Sequence, residues 1–206
     1  MKCVIIAGGA VSDYDLLLSR CVGADLIICA DAGIMHADKM NFAPDIWVGD
    51  FDSSCPHGFC AKRQIRLPRE KDDTDTMYAA RVALREGADE VTLLAASGSR
   101  LDHTLANLFV LKFLEDNGAS ARMEDEHNTV MLVKSSARIP KTDGSYLSLL
   151  PFCSIPTGVT VNGVKYPLDN AALYDNNTLG VSNEITAPYA ELSVKCGCLA
   201  VFISKD

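Results

Sequence analysis

The chain has 206 residues, 48% of them hydrophobic, with a net charge of −8 and eight cysteines. That apolar content excludes a disordered chain and suffices for one large domain or two modest ones. Its 19 Lys and Arg residues are scattered, without the basic footprint that wraps DNA or RNA, and no apolar run approaches the roughly 20 residues that cross a bilayer.

The chain begins Met1-Lys2 and continues into the apolar run Cys3-Val4-Ile5-Ile6-Ala7. This run is too short for the core of a signal peptide, so a cytoplasmic protein with reduced thiols is expected. Cys3, Cys29 and Cys153 lie in or beside apolar runs, where a free thiol behaves as a small hydrophobe. Further runs follow at Leu26-Ile27-Ile28-Cys29-Ala30, Ile46-Trp47-Val48 and Val91-Thr92-Leu93-Leu94-Ala95-Ala96. Their apolarity is continuous, the mark of strands covered on both faces, so a parallel sheet in an α/β layer fold is expected through about residue 125. Between the runs, Met77, Ala80 and Leu84 recur at helical spacing, as do Leu105, Leu108 and Phe109.

Each run ends in polar or small residues: Gly8-Gly9-Ala10, Asp31-Ala32-Gly33, Gly49-Asp50-Phe51-Asp52 and Ser97-Gly98-Ser99-Arg100. Open parallel sheets bind ligands at the carboxyl ends of their strands, so the site is expected along that edge. Neither a Gly-x-Gly-x-x-Gly fingerprint nor a Gly-x-x-x-x-Gly-Lys loop is present, which removes the main support for ordinary dinucleotide and P-loop sites.

In an extended segment residues i and i+2 share a side, so Asp50 and Asp52 could together hold one cation. The same residues also suit a polar loop with Asp50 capping a turn. Asp72-Asp73-Thr74-Asp75 precedes an amphipathic segment beginning near Thr76 and is well suited to capping it. Three carboxylates crowded at one helix start nevertheless repel unless a cation or a basic partner such as Lys71 offsets them. In Ser97-Gly98-Ser99-Arg100-Leu101-Asp102-His103, backbone N–H groups and Arg100 could hold a phosphate while Asp102 completes a metal shell. The plainer reading is a Gly-containing turn with Asp102 as N-cap and a structural His103. Cys55-Pro56-His57-Gly58-Phe59-Cys60 lacks both the spacing and the second pair of a zinc site.

Beyond about Lys134 the pieces become short and strand-like, at Tyr146-Leu147-Ser148-Leu149-Leu150, Val159-Thr160-Val161, Leu192-Ser193-Val194 and Leu199-Ala200-Val201-Phe202-Ile203. A small all-β sandwich or barrel is expected. Asn162-Gly163 predicts a type I′ hairpin turn, and Cys196-Gly197-Cys198 reads as another hairpin turn.

In order, Gly49-Asp50-Phe51-Asp52-Ser53, Lys71-Asp72-Asp73-Thr74-Asp75, Gly98-Ser99-Arg100-Leu101-Asp102-His103 and Gly180-Val181-Ser182-Asn183-Glu184 resemble the thiamin pyrophosphokinase family. That family carries Gly-Asp-Phe-Asp-Ser, Lys-Asp-x-Thr-Asp, Gly-Gly-Arg-x-Asp-His and a late Ser-Asn. The resemblance implies a Rossmann-like parallel-sheet catalytic domain over 1–128 and a small all-β sandwich that binds thiamin over 129–206. It also implies a homodimer with active sites at the interface, ATP as co-substrate, Mg²⁺, and transfer of the pyrophosphoryl group of ATP to the thiamin hydroxyl.

Carried over by position, Asp50, Asp52, Asp75, Asp102 and Arg100 form the catalytic set, with Mg²⁺ on Asp50, Asp52 and Asp75. Asp31, Ser53, Lys71, Asp72, Thr74 and His103 surround the nucleotide, and Ser182 and Asn183 contact thiamin. Ser99 departs from the family's second Gly and would strain the loop if the backbone there takes a positive φ. Tyr174, Tyr189 and Trp47 are the aromatic candidates for covering the thiamin ring. The rival readings are a metal-dependent phosphohydrolase built on Asp-x-Asp and a non-catalytic nucleotide- or vitamin-binding sensor. Gly8-Gly9, standing where an aspartate phosphatase carries its motif, disfavours the first, and the intact acidic clusters disfavour the second.

Overall fold

A computed structural model describes residues 1–51 and 61–206. The chain divides into two compact units, Met1–Glu126 and His127–Asp206. In the first, β1 (Lys2–Ile6), α1 (Tyr14–Cys21), β2 (Leu26–Ala30), α2 (Gly33–Lys39) and β3 (Ile46–Gly49) alternate regularly. They are followed by β4 (Arg63–Arg66), α3 (Asp75–Arg85), β5 (Glu90–Leu94), α4 (Leu101–Asp116) and β6 (Ser120–Glu124).

The strands pair in parallel in the order β4-β3-β2-β1-β5-β6. The chain thus adds strands outward from β1 in one direction, crosses back, and continues from β5 in the other. Leu17, Cys21, Ile34 and Ala37 of α1 and α2 pack on Val4, Ile6, Cys29 and Trp47 of the strands, which is why those runs are apolar without interruption. Burial pushes the Cys21 thiol up to about 11, and burial with the nearby Asp45 charge pushes Cys3 up to about 12, so both act as hydrophobes.

Two features of this unit differ from expectation. The strand β4, Arg-Gln-Ile-Arg, carries no apolar run; it occupies the sheet edge, where only Ile65 is partly covered. In α4 the buried residues are Asn107, Leu108, Val110, Leu111 and Leu114, while Leu105 and Phe109 are exposed. A helix with apolar residues on more than one side does not reveal by spacing alone which side is covered.

The second unit contains β7 (Asn128–Val133), β8 (Ser136–Pro140), β9 (Tyr146–Pro151), β10 (Thr157–Asn162), β11 (Leu168–Ala172), β12 (Tyr189–Ser193) and β13 (Leu199–Ser204). β13 pairs antiparallel with β7 and β9, and β11-β10-β12-β8 forms a second antiparallel sheet. Leu147, Leu149, Leu199 and Val201 of the first sheet and Ile139, Val159, Val161 and Leu192 of the second form one core, giving a sandwich.

The type I′ turn does not form. Gly163 has φ +76°, but Asn162 is not in the left-handed region that a type I′ turn needs at both positions, and β11 resumes only at Leu168. A Cβ at Gly163 would lie 2.4 Å from the Tyr189 carbonyl oxygen, so this glycine serves a close approach rather than a tight hairpin. Cys196-Gly197-Cys198 likewise turns the chain from β12 to β13, which belong to different sheets, so it is a crossing and not a hairpin.

Candidate active site

A cleft of about 390 Å³ opens at the carboxyl ends of β1, β2 and β5, lined by Gly8, Gly9, Asp31, Asp75, Ser97 and Arg100 among others. It lies where the strand order reverses between β1 and β5, the position at which loops on the two sides diverge and leave a crevice. The backbone there is tightly packed. Gly9 N–H donates to the Ala95 carbonyl at 2.7 Å, and a Cβ on Gly9 would sit 2.2 Å from the Ser97 carbonyl oxygen. Ala95 itself turns through φ +50° as β5 ends. Asn107, buried in α4, donates through Nδ2 to the Ala96 carbonyl at 2.6 Å and fixes the next peptide of the same loop.

Asp31 reaches the cleft from a left-handed backbone at φ +47°. Trp47 is only 2% exposed and donates from Nε1 to the Asp31 carbonyl at 2.9 Å, while Asp31 N–H donates to the Val48 carbonyl at 2.7 Å. The buried Trp47 therefore holds an acidic residue in place and has no face to offer a thiamin ring. Phe51 packs on Trp47 with ring centroids 4.1 Å apart and has φ +60°. The backbone at Phe51 is consequently left-handed rather than extended. Asp50 is partly buried at the end of β3; Asp52 and Ser53, with the Cys55–Cys60 cluster, lie outside the described residues.

At the start of α3, Thr74 caps the helix by accepting from Met77 N–H at 3.2 Å, and Thr74 and Asp75 line the cleft. The crowding of carboxylates is relieved by basic partners: Asp73 pairs with Arg81 at 2.8 Å and Asp75 Oδ1 with Lys71 Nζ at 2.9 Å. The second contact is an ion pair without hydrogen-bond geometry, and that Oδ1 is buried with no hydrogen-bond partner among the described residues. Asp72 is exposed and lies outside the cleft lining.

Across the cleft, Arg100 occupies the N-cap of α4 but supplies no side-chain cap. Its guanidinium, 69% exposed, binds Asp102 with a shortest contact of 2.6 Å, and hydrogen bonding from Arg100 lowers the Asp102 carboxyl below its usual range. Arg100 and His103 line the cleft; Asp102, in the first helical turn rather than at the N-cap, does not. Ser99 is not in the left-handed region, so a serine at this position carries no backbone strain. Among the described residues no three His, Cys, Asp or Glu side chains gather into a preformed metal cage.

In the second unit, Asn183 is 7% exposed. Its Oδ1 accepts from Tyr166 N–H at 3.0 Å and Glu184 N–H at 2.9 Å, and its Nδ2 donates to the Tyr166 carbonyl at 2.7 Å. The side chain is thus engaged in holding the Tyr166 segment. Ser182 is exposed, at φ +58°, with its N–H donating to Ser148 Oγ at 3.0 Å. Tyr174 is half exposed, and Tyr189 lies under Arg138 at 3.2 Å from the ring centroid.

Residues 18–122 match the family profile described as thiamin pyrophosphokinase, catalytic domain, and residues 135–199 match the vitamin B1 binding domain of the same enzymes. The chain belongs to the thiamin pyrophosphokinase family. It is 28% identical over 212 residues to a thiamine pyrophosphokinase of Bacillus subtilis, covering 98% of each chain. The crystal structure of thiamine pyrophosphokinase from that organism superposes with a TM-score of 0.87 at 26% identity, covering 100% of both chains. A thiamin pyrophosphokinase family protein of Enterococcus faecalis gives 0.83 at 27% identity, again covering 100% of both.

Residue patterning alone did not single out His36 or Asn107, which act on the thiamin pyrophosphokinase fold through the backbone. Asn107 stands at helical spacing with Leu111 and Leu114, a polar residue on a buried face, and that was its available signal. His36 accepts at Nδ1 from the Tyr14 hydroxyl at 2.9 Å and donates from Nε2 to the Gly9 carbonyl at 2.9 Å, because a carbonyl oxygen can only accept. Burial lowers its pKa from 6.5, the Gly9 hydrogen bond opposes that shift, and Lys39 adds to it. A histidine with a depressed folded-state pKa leaves the unfolded chain binding more protons, so its contribution is present at neutral pH and lost on acidification. Stability measured by urea unfolding should therefore fall as pH drops below about 6.5, and His36→Asn should flatten that dependence. An unchanged pH dependence in the variant would rule the histidine out as its source.

Proposed function

We propose that the chain transfers the pyrophosphoryl group of ATP to the thiamin hydroxyl, releasing AMP, with the triphosphate seated in the β1–β5 cleft. The chain is a thiamine diphosphokinase, and one observation supports the seating above the rest. The cleft opens at the reversal of strand order, between Gly8-Gly9 and the start of α4, a helix of 16 residues whose N-cap side chain leaves its first turn uncapped. Helix N-termini of this kind attract phosphate through unsatisfied N–H groups and the positive end of the dipole.

Mg²⁺ takes one or two protein carboxylates together with phosphate oxygens, so a preformed cage is not required. Asp31 and Asp75 bring carboxylates to the cleft, and a cation there would meet Asp75 with its Oδ1 already paired to Lys71. In this reading Asp50 joins them from the neighbouring strand end, and Asp52 and Ser53 do so by their place in the motif. When bound, the ion neutralises phosphate charge as a Lewis acid. Lys71 holds Asp75 by its ion pair. Arg100 exchanges Asp102 for phosphate and offsets charge on the departing AMP. Thr74 and His103 border the nucleotide from the two helix starts, while the exposed Asp72 contributes only to the local field.

The thiamin hydroxyl attacks the β-phosphorus, the bond between that phosphorus and the bridging oxygen to the α-phosphate breaks, and AMP leaves. A carboxylate of the Asp group is the class of base available for the hydroxyl proton. Ser182 contacts thiamin directly in this reading, and Asn183 shapes the surface around it through Tyr166. The boundary between catalytic and thiamin-binding parts is placed near residue 128, close to the division between the compact units. A cytoplasmic location accords with ATP as co-substrate and with the six described cysteines, all free.

The homodimer reading is supported by Leu101 and Leu105, 77% and 52% exposed at i and i+4 on α4. Sedimentation velocity should give a dimer that Leu105→Glu weakens; a monomer at every concentration of the unaltered chain would remove this part of the proposal. For the reaction, incubation with MgATP and thiamin should yield AMP and thiamin pyrophosphate. Asp75→Asn should lower turnover by at least about 100-fold with an unchanged circular dichroism spectrum. ADP with thiamin monophosphate would instead indicate an ordinary kinase, and near-normal turnover by the variant would remove Asp75 from the site.

A further inference from the structure

Directly after β6, two consecutive, partly buried carboxylates bind the loops on both sides of the strand reversal. Asp125 Oδ2 accepts from Ser97 Oγ at 2.7 Å, on the loop between β5 and α4. Glu126 Oε1 accepts from Ser12 N–H at 2.7 Å and Asp13 N–H at 2.8 Å, and Oε2 accepts from Ser12 Oγ, on the loop between β1 and α1. Ser97 and Ala10 line the cleft, whereas neither Asp125 nor Glu126 does. The base of this latch is anchored: Glu124, 7% exposed, pairs with Arg122 at 2.6 Å and Arg20 at 3.1 Å.

Resting on the nucleotide reading of the cleft, we propose that Asp125 and Glu126 are positioning residues that set the separation of the two phosphate-facing loops. Both loops begin at strand ends whose backbones are already joined by Gly9 N–H to Ala95 carbonyl. The hydrogen bond fixes their near ends, Asp125 holds the β5–α4 loop part-way along at Ser97, and Glu126 holds the far end of the β1–α1 loop at Ser12 and Asp13. Two negative groups beside a polyanion site would oppose ATP if they faced it; here their charge is engaged by hydroxyl and N–H donors behind the loops. Their loss should therefore act on nucleotide binding before it acts on chemistry.

The test is steady-state kinetics on the full chain with Asp125→Ala, Asp125→Asn, Glu126→Ala and Glu126→Gln. Each Ala variant should raise KM for ATP roughly ten-fold, with KM for thiamin and kcat within about two-fold. Asn and Gln retain an acceptor oxygen and should recover most of that loss. Thermal unfolding midpoints compared across the four variants separate a general loss of folding from the ATP-specific effect. Unchanged KM for ATP in folded Ala variants, equal rises in both KM values, or no recovery by Asn and Gln would overturn the positioning role while the family reaction stands. Failure of the unaltered chain to form AMP from ATP and thiamin would overturn the nucleotide reading and this inference with it.

Discussion

The structure depends on one constraint, the close approach of the β1 and β5 ends where the direction of strand addition reverses. Gly9 is compelled by it, since any side chain would collide with the Ser97 carbonyl, and its N–H is used to tie the two ends together. Once these ends are joined, the loops beyond them must diverge to reach α1 on one side and α4 on the other. The cleft is the space left by that divergence. A sheet with all its strands added in one direction would offer no such gap.

Around this gap the protein arranges charge through partners rather than through burial alone. Asp73, Asp75 and Asp102 each stand beside a basic side chain, while Asp125 and Glu126 are held by hydroxyl and N–H donors. The Lys71–Asp75 pair matters most here, because the ammonium on Oδ1 keeps a carboxylate oriented in the cleft. The Arg100–Asp102 pair is largely exposed and adds little to stability.

The α/β framework was legible because β1, β2, β3 and β5 are continuous apolar runs and each ends in residues that punctuate a strand. The edge strand β4 was not, since an edge needs only one partly covered side chain, and Ile65 is easily lost among Arg and Gln. In the sandwich, Asn162-Gly163 carried the chemistry of a tight turn but was recruited to a longer connection by the approach of Tyr189. At the site, Asp31, Thr74, Asp75, Arg100 and His103 stood out in the sequence and line the cleft, but their geometry was not legible. Phe51 takes a left-handed backbone because its ring folds onto Trp47, a contact between residues that spacing does not reveal. His36, Asn107, Asp125 and Glu126 were silent because each is one polar residue acting on a backbone group brought near by the fold.

The central claim is that the triphosphate sits at the β1–β5 reversal, and amide hydrogen exchange of the full chain with and without MgATP tests it most directly. Protection should rise at residues 8–10 and 97–103, where the two loops and the start of α4 border the cleft, and at 31–32 and 74–76, which line it from the end of β2 and the start of α3. Protection that misses these segments while ATP is demonstrably bound would contradict it.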